Sequence, residues 1–96
     1  AQPLQLGLLI RHQPHWHTYW KNPGDSGLPT QLNWTLPAGF VPGEIEWPTP
    51  APLPLGPLVN YGYEGELLLP VTVQVPANFS GPTLPVKLAA EWLVCK

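Results

Sequence analysis

The chain of 96 residues has the size of one small domain, and its 15 prolines and 9 glycines leave few uninterrupted windows long enough for a helix. With 44% hydrophobic and only 10% charged residues, the composition argues against intrinsic disorder. The formal net charge is -2, and the four basic residues are scattered along the chain, which excludes the clustered cations of a nucleic-acid-binding surface.

Three segments in the first third of the chain have the pattern of short strands. In residues 4–12 apolar and polar side chains alternate with a period of two, which predicts a strand with one buried face. After Pro14, the aromatic segment 16–20 predicts a second strand, and the turn-forming residues 22–27 are expected to end it. Alternation returns in residues 31–36 and predicts a third strand.

Residues 47–57 contain five prolines. Because proline has no amide proton to donate to a neighbouring strand, we expect this segment to run extended along the surface, partly as polyproline II, and not inside a sheet. It is a connection within one domain, since neither flanking part is large enough to fold alone.

Two further strands are predicted in the last third of the chain. Residues 66–75 alternate, with Pro70 on the polar face at a bulge or an edge position. Their inward set is Leu67, Leu69, Val71, Val73 and Val75. In residues 86–95 the inward set is Val86, Leu88, Ala90, Trp92 and Val94. Trp20, Trp34 and Trp92 are expected in the core.

At least five strands at this spacing predict an all-β antiparallel sandwich that forms a single domain over residues 1–96. No apolar run is long enough for a membrane-spanning helix, so we expect no direct membrane insertion of this chain.

Cys95 is the only cysteine, so no disulfide can form within the chain. The alternation of residues 86–95 places its sulfur on the outer face with Lys87 and Glu91, where thiol–disulfide exchange is feasible. Two interpretations stay open, a buried free thiol or one half of a pair whose second cysteine follows Lys96. Since the sequence has no Met, we expect that Ala1 is not a translation start. Since the chain stops within an apolar run at Cys95 and Lys96, we also expect a fragment truncated at its carboxyl end.

His12, His15 and His17 raise the question of a metal site, because neutral imidazoles are good ligands for zinc and copper. Pro14 indicates that a new strand starts near His15 and that His12 belongs to the preceding strand. The spacing alone does not define a site, and histidines at a hairpin end that only form hydrogen bonds are the simpler interpretation. No metal site is favoured.

Four stretches of this sequence together resemble a known family. They are 16–30 (WHTYWKNPGDSGLPT), 61–66 (YGYEGE), 68–71 (LLPV) and 92–96 (WLVCK). In this order, they resemble the amino-terminal periplasmic domain of DsbD-like thiol:disulfide interchange proteins, which are also grouped with cytochrome c biogenesis and copper-tolerance proteins. The resemblance implies an immunoglobulin-like sandwich in the periplasm that carries a redox-active cysteine pair and no cofactor.

The resemblance also implies roles for particular residues. Cys95 corresponds to the first cysteine of the pair, and the second is expected a few residues after Lys96, so this chain with one cysteine is not expected to be a complete protein-disulfide reductase. An aromatic cap loop shields the pair in the family, and here we expect it around residues 58–63, with Tyr61 and Tyr63 as the shielding side chains. The implied partners are a thioredoxin-like domain and periplasmic disulfide-bearing proteins, with the parent protein anchored in the inner membrane.

Two other functions remain as alternatives to a redox module. The first is a metal-binding module that uses the histidines, with Cys95 as a soft ligand for copper. The second is a non-catalytic adhesion or structural sandwich in which the cysteine is incidental.

Overall fold

The fold consists of short antiparallel strands. The computed structural model describes residues 2–96, and over that range it contains eight strands and no helix. In chain order they are β1 Leu4–Arg11, β2 Thr18–Gly24, β3 Gln31–Thr35, β4 Val41–Ile45, β5 Ala51–Leu55, β6 Leu58–Tyr63, β7 Glu66–Gln74 and β8 Lys87–Glu91.

The strands form three sheets, with the orders β1-β7-β4, β2-β6-β5 and β3-β8. All of these pairs are antiparallel, and the predicted all-β, immunoglobulin-like sandwich is confirmed. Across residues 2–96 no helix has the length and hydropathy needed to cross a membrane.

The core is built around β7, which lies between β1 and β4. Its inward side chains Leu67, Leu69, Val71 and Val73 are at most 4% exposed, as the alternation predicted. Leu67 and Leu69 form a cluster with Tyr63, and half-buried side chains pack against this cluster: Ile10, Trp20, Leu32, Ile45 and Trp47. The core placement of Trp20 is therefore confirmed.

Pro70 lies on the outer face of β7, as predicted, but not at a sheet edge. Both neighbours of β7 are present, and the carbonyl of Pro70 accepts a hydrogen bond of 2.8 Å from the amide of Glu46. The irregularity lies in the partner strand, where the register of β4 shifts between Pro42 and Ile45. This bulge lies opposite the segment between Val71 and Val73, next to Pro70 and not opposite it.

The proline-rich segment forms a strand, and our prediction that it stays outside a sheet was wrong. β5 pairs with β6 from Ala51 opposite Gly62 to Leu55 opposite Leu58. It is the edge strand of its sheet, and Pro52 and Pro54 are two residues apart. Because alternate amides of a strand point to the same side, both missing amides face the open edge and the remaining amides face β6.

The last strand is shorter than its apolar pattern suggested. β8 ends at Glu91, so the alternation holds for Leu88 and Ala90, which are half-buried, but does not continue beyond it. Trp92 is 48% exposed and Val94 39% exposed, contrary to the predicted inward placement, and Val86 before the strand is 40% exposed. A period of two assigns faces only while the chain stays paired in a sheet.

Three other segments also differ from the sequence prediction. β2 begins at Thr18 and continues through residues expected to form a turn, ending at Gly24 after a register shift. β4 was not predicted. β6, expected as a cap loop, is the central strand of its sheet.

Candidate functional site

Cys95 is positioned by an isolated β-bridge to His17. The amide of His17 donates to the carbonyl of Cys95 at 2.8 Å, and the amide of Cys95 donates to the carbonyl of His17 at 3.0 Å. Directly opposed residues of an antiparallel pair direct their side chains to the same face, so the Cys95 sulfur lies beside the His17 imidazole. The thiol is half-buried, neither in the core nor fully in solvent.

Tyr19 belongs to the same face because it follows His17 by two residues in an extended chain. Its hydroxyl oxygen lies 3.0 Å from His17 Nε2, and the two rings meet edge to face with centroids 5.0 Å apart. The tyrosine is 3% exposed. Burial, followed by the hydrogen bond and the negative charge of the Cys95 sulfur, raises the pKa of Tyr19 to about 12.

The loop after β2 holds Tyr19 in place. The carboxylate of Asp25 accepts a 2.8 Å hydrogen bond from the amide of Val59, and the buried side chain of Asn60 accepts one of 2.9 Å from the amide of Ser26. The next residue, Gly27, has a φ of +91°, and a Cβ built on it would come within 2.4 Å of the Tyr19 ring. Glycine is therefore required where the loop crosses the tyrosine.

An open groove of about 590 Å³ lies at this cluster. It is lined by Cys95, His17 and Tyr19, and by residues 52–55 of the β5–β6 hairpin. The hairpin contributes proline and leucine side chains, so the surroundings of the sulfur are largely apolar on that side. Half-burial in such a groove restricts access to the sulfur without blocking it.

The two tyrosines predicted as a cap do not line this groove. Tyr63 faces the core, 7% exposed, stacked on Trp47 with its hydroxyl donating to the carbonyl of Pro48 at 2.8 Å. Tyr61 is 39% exposed, and its ring meets the Trp20 ring edge to face with centroids 6.4 Å apart. Both lie in the central strand β6, where alternation and pairing fix their directions, so neither has the freedom of a loop residue.

The three histidines do not assemble into a ligand set. His12 Nδ1 lies 2.7 Å from the carbonyl of Gly65 and its Nε2 lies 2.9 Å from Thr18 Oγ1, so both ring nitrogens already have partners. His15 and His17 line the groove. Within residues 2–96 no three His, Cys, Asp or Glu side chains converge in a geometry that could hold a metal ion.

Sequence reasoning singled out Cys95 but not Tyr19, which lines the same groove. One signal was present, because Tyr19 is two residues from a histidine in a segment predicted to be a strand, which places both on one face. The juxtaposition with Cys95 had no local signal, since it depends on the pairing of two chain segments that are far apart in the sequence.

The arrangement supports chemistry at sulfur. A thiolate is the reactive form in disulfide exchange, and a hydroxyl beside it can donate a hydrogen bond to that anion. The hydroxyl of Tyr19 remains protonated throughout the neutral range, because its pKa is raised to about 12. It therefore keeps a proton that it can donate in a hydrogen bond.

The family profile described as thiol:disulfide interchange protein DsbD, N-terminal, matches residues 1–96, the whole of the chain. No curated protein and no solved structure matches the chain closely enough to be compared with it. The full-length match confirms the resemblance seen in the four sequence stretches. The chain therefore belongs to the family of DsbD amino-terminal domains, the thiol:disulfide interchange module of that protein.

Proposed function

We propose that this domain carries electrons in the periplasm by thiol–disulfide exchange through Cys95 and a second cysteine that follows Lys96 in the parent protein. A thioredoxin-like domain of that parent, which is anchored in the inner membrane, supplies the electrons, and periplasmic proteins bearing disulfides accept them. The observation that carries the proposal is the half-buried Cys95 sulfur in a groove beside the hydroxyl of Tyr19.

The proposed reaction transfers two electrons in two exchange steps. A thiolate of the reduced pair attacks one sulfur of the acceptor disulfide, and that S–S bond breaks with its electron pair on the leaving sulfur, which takes a proton. The second thiolate of the pair then attacks the mixed disulfide. The acceptor leaves as a dithiol and the pair becomes a disulfide. Either Cys95 or its partner can be the first attacker.

The groove gives this chemistry selectivity. Strand β5 lines one side of the groove with apolar side chains, which limits the approach of small oxidants from that side while a protein partner can displace or fit against them. We therefore assign the shielding role to residues 52–55 of the β5–β6 hairpin, and not to Tyr61 and Tyr63.

Trapping of a mixed disulfide tests the proposal directly. The chain is mixed with a thioredoxin-like domain that keeps only its attacking cysteine, activated as a disulfide with thionitrobenzoate, and the covalent adduct is measured by mass spectrometry. We expect one adduct per chain at Cys95 and none for Cys95→Ser.

A longer chain from the parent gene, continuing past Lys96, supplies the second test. We expect a disulfide between Cys95 and the following cysteine, with a reduction potential measurable by thiol trapping against glutathione. A Cys95 that forms no adduct, or a parent without a second cysteine, would leave a non-catalytic sandwich as the better description.

A further inference from the structure

An exposed apolar surface adjoins the groove that holds Cys95. Leu28, in the loop after β2, is 64% exposed. Trp92 and Leu93, in the segment between β8 and Cys95, are 48% and 36% exposed. All three side chains line one cavity of about 220 Å³, and Glu91 is the charged residue among its lining residues. We call Leu28, Trp92 and Leu93 the rim patch.

The rim patch is continuous with the groove at two points. Leu93 lines both the groove and the neighbouring cavity. Gly27 lines the groove and is followed directly by Leu28 of the patch. Leu93 precedes Cys95 by two residues, so their Cα atoms are at most about 7 Å apart. A molecule seated on the patch therefore reaches the edge of the groove.

A protein that exchanges thiols with Cys95 must cover part of its surroundings. A disulfide between the two proteins holds their sulfur atoms about 2 Å apart, so the partner's surface lies against the groove. A specific interface takes about 800 Å² from each partner, which corresponds to a disc of roughly 16 Å radius. The rim patch begins within about 7 Å of Cys95, well inside such a disc.

We propose that the rim patch is the docking surface for the thioredoxin-like domain that exchanges with Cys95, and that this domain presents an uncharged, apolar surface beside its own exchanging sulfur. The inference rests on the proposed function, because it requires Cys95 to react with a protein partner. It adds the side chains by which the domain selects a protein over a small disulfide.

The side chains of the patch suit a protein partner of this kind. Tryptophan is among the residues that contribute most binding free energy at protein interfaces, and an exposed leucine adds apolar area that leaves water on docking. The charged groups nearby are Glu91 at the cavity and Glu64 and Lys96 in the groove. Since these charges have both signs, they do not form the one-sign field that would select a partner by charge.

The test compares a protein and a small molecule that react by the same chemistry. The first probe is the single-cysteine thioredoxin-like domain activated with thionitrobenzoate, and the second is the symmetrical disulfide of thionitrobenzoate. In both reactions the Cys95 thiolate attacks one sulfur of the probe and forms a new S–S bond with it. Thionitrobenzoate leaves with the electron pair of the broken bond. Its absorbance gives the second-order rate.

Rates are measured for the wild type, for Leu28→Ser and for Trp92→Ala. The matched control is Leu68→Ser, because Leu68 is 53% exposed on β7 and lines neither the groove nor the cavity beside it. Leu28 lies in a loop outside the strands, so its replacement decides the question by itself if Trp92→Ala does not fold.

We expect Leu28→Ser to slow the reaction with the protein probe at least about fivefold, and Trp92→Ala at least about tenfold. Rates with the small disulfide should stay within about twofold of the wild type, because the reacting sulfur is unchanged. Leu68→Ser should match the wild type with both probes. Since the contact is apolar, the rate with the protein probe should change little between low and high salt.

Four results would overturn the inference. They are wild-type rates with the protein probe in both patch variants, equal slowing with both probes, a loss in Leu68→Ser as large as in Leu28→Ser, and a steep fall of the protein rate with salt. Sedimentation provides a fifth, because a wild-type dimer that Trp92→Ala disrupts would assign the patch to a second copy of the chain.

The two proposals fail in different ways. If the wild type does not react with the protein probe, the proposed function fails together with this inference. If the wild type reacts and both patch variants react equally fast, the exchange function stands and the docking surface is wrong.

Discussion

At the scale of single residues, burial changes the ionisation of two tyrosines, Tyr19 and Tyr63. Tyr63 is 7% exposed, and burial raises its pKa from an ordinary value of 10.0 to about 12. Tyr19 has a raised pKa as well, with Cys95 as a second cause after burial. A raised pKa of an acid means that the folded state holds its proton more tightly than the unfolded state.

This difference predicts how the stability depends on pH. Below pH 10 Tyr63 is protonated in both the folded and the unfolded state, so its ionisation does not reduce the free energy of unfolding. Between pH 10 and 12 the unfolded state loses this proton first, so the free energy of unfolding falls as the pH rises. Two pKa units correspond to about 3 kcal/mol. We measure the free energy of unfolding of the wild type and of Tyr63→Phe by urea denaturation from neutral pH upward. We expect the value for the wild type to fall by up to about 3 kcal/mol more than the value for Tyr63→Phe.

Ultraviolet absorbance of tyrosinate provides an independent check on the same titration. In the folded wild type, Tyr63 should ionise only near pH 12, and its share of this late step in the absorbance should be absent from Tyr63→Phe. A difference in stability between the two proteins that does not change with pH would contradict the burial argument.

At the scale of elements, β6 connects the core to the site. It is the central strand between β2 and β5, and its residue Gly62 lies opposite both Tyr19 and Ala51. A Cβ at Gly62 would lie 2.0 Å from the carbonyl oxygen of Thr18. Backbone cannot move aside as a flexible side chain can, so the close approach of β2 to β6 requires glycine here.

Gly62→Ala therefore separates β2 from β6. We expect it to lower the free energy of unfolding by about 1–3 kcal/mol or more, and to slow formation of the Cys95 adduct because Thr18 and Tyr19 shift with β2. Urea denaturation and the trapping assay measure the two effects.

Gly56→Ala is the matched control for this substitution. Its Cβ would meet no heavy atom within 4 Å, although its φ of +59° carries the conformational cost of an L residue, about 1–2 kcal/mol. Adduct formation should be slower in Gly62→Ala than in Gly56→Ala. Equal behaviour in both assays would show that the contact with Thr18 is unimportant.

At the scale of the whole molecule, the domain is elongated, with extents of 54 × 22 × 18 Å. Its radius of gyration is 15.9 Å, whereas a compact chain of this length has about 12 Å. The fully buried apolar residues are few, and four of the six are on β7. Global stability therefore depends strongly on one strand.

Two adjacent leucines of β7 test this dependence. Leu69 is 0% exposed and Leu68 is 53% exposed, so they differ in face but not in strand or side-chain type. We expect Leu69→Ala to cost about 2–5 kcal/mol of unfolding free energy, because it removes buried methyl groups and leaves a cavity.

Leu68→Ala is expected to cost less than about 1 kcal/mol. Thermal and urea unfolding measure both variants. Similar losses for the two leucines would show that the core does not centre on the inner face of β7.

Much of the architecture was predictable because it is recorded in local periodicity. A strand with one buried face shows its period of two directly, which is why β1, β3 and the four buried positions of β7 were predicted correctly. The edge strand β5 was missed because proline content alone does not say to which side the missing amides point. That direction matters only once a neighbouring strand is present.

The sequence by itself determined the all-β class, the inner face of β7, the DsbD family and the presence of a single cysteine. Only the tertiary structure decided that Cys95 pairs with His17, that Tyr19 lies beside the sulfur, and that the β5–β6 hairpin lines the groove. The physical reason is that alternation belongs to one strand and can be read along it, whereas pairing between distant segments is settled by which arrangement buries the apolar faces of all the strands together.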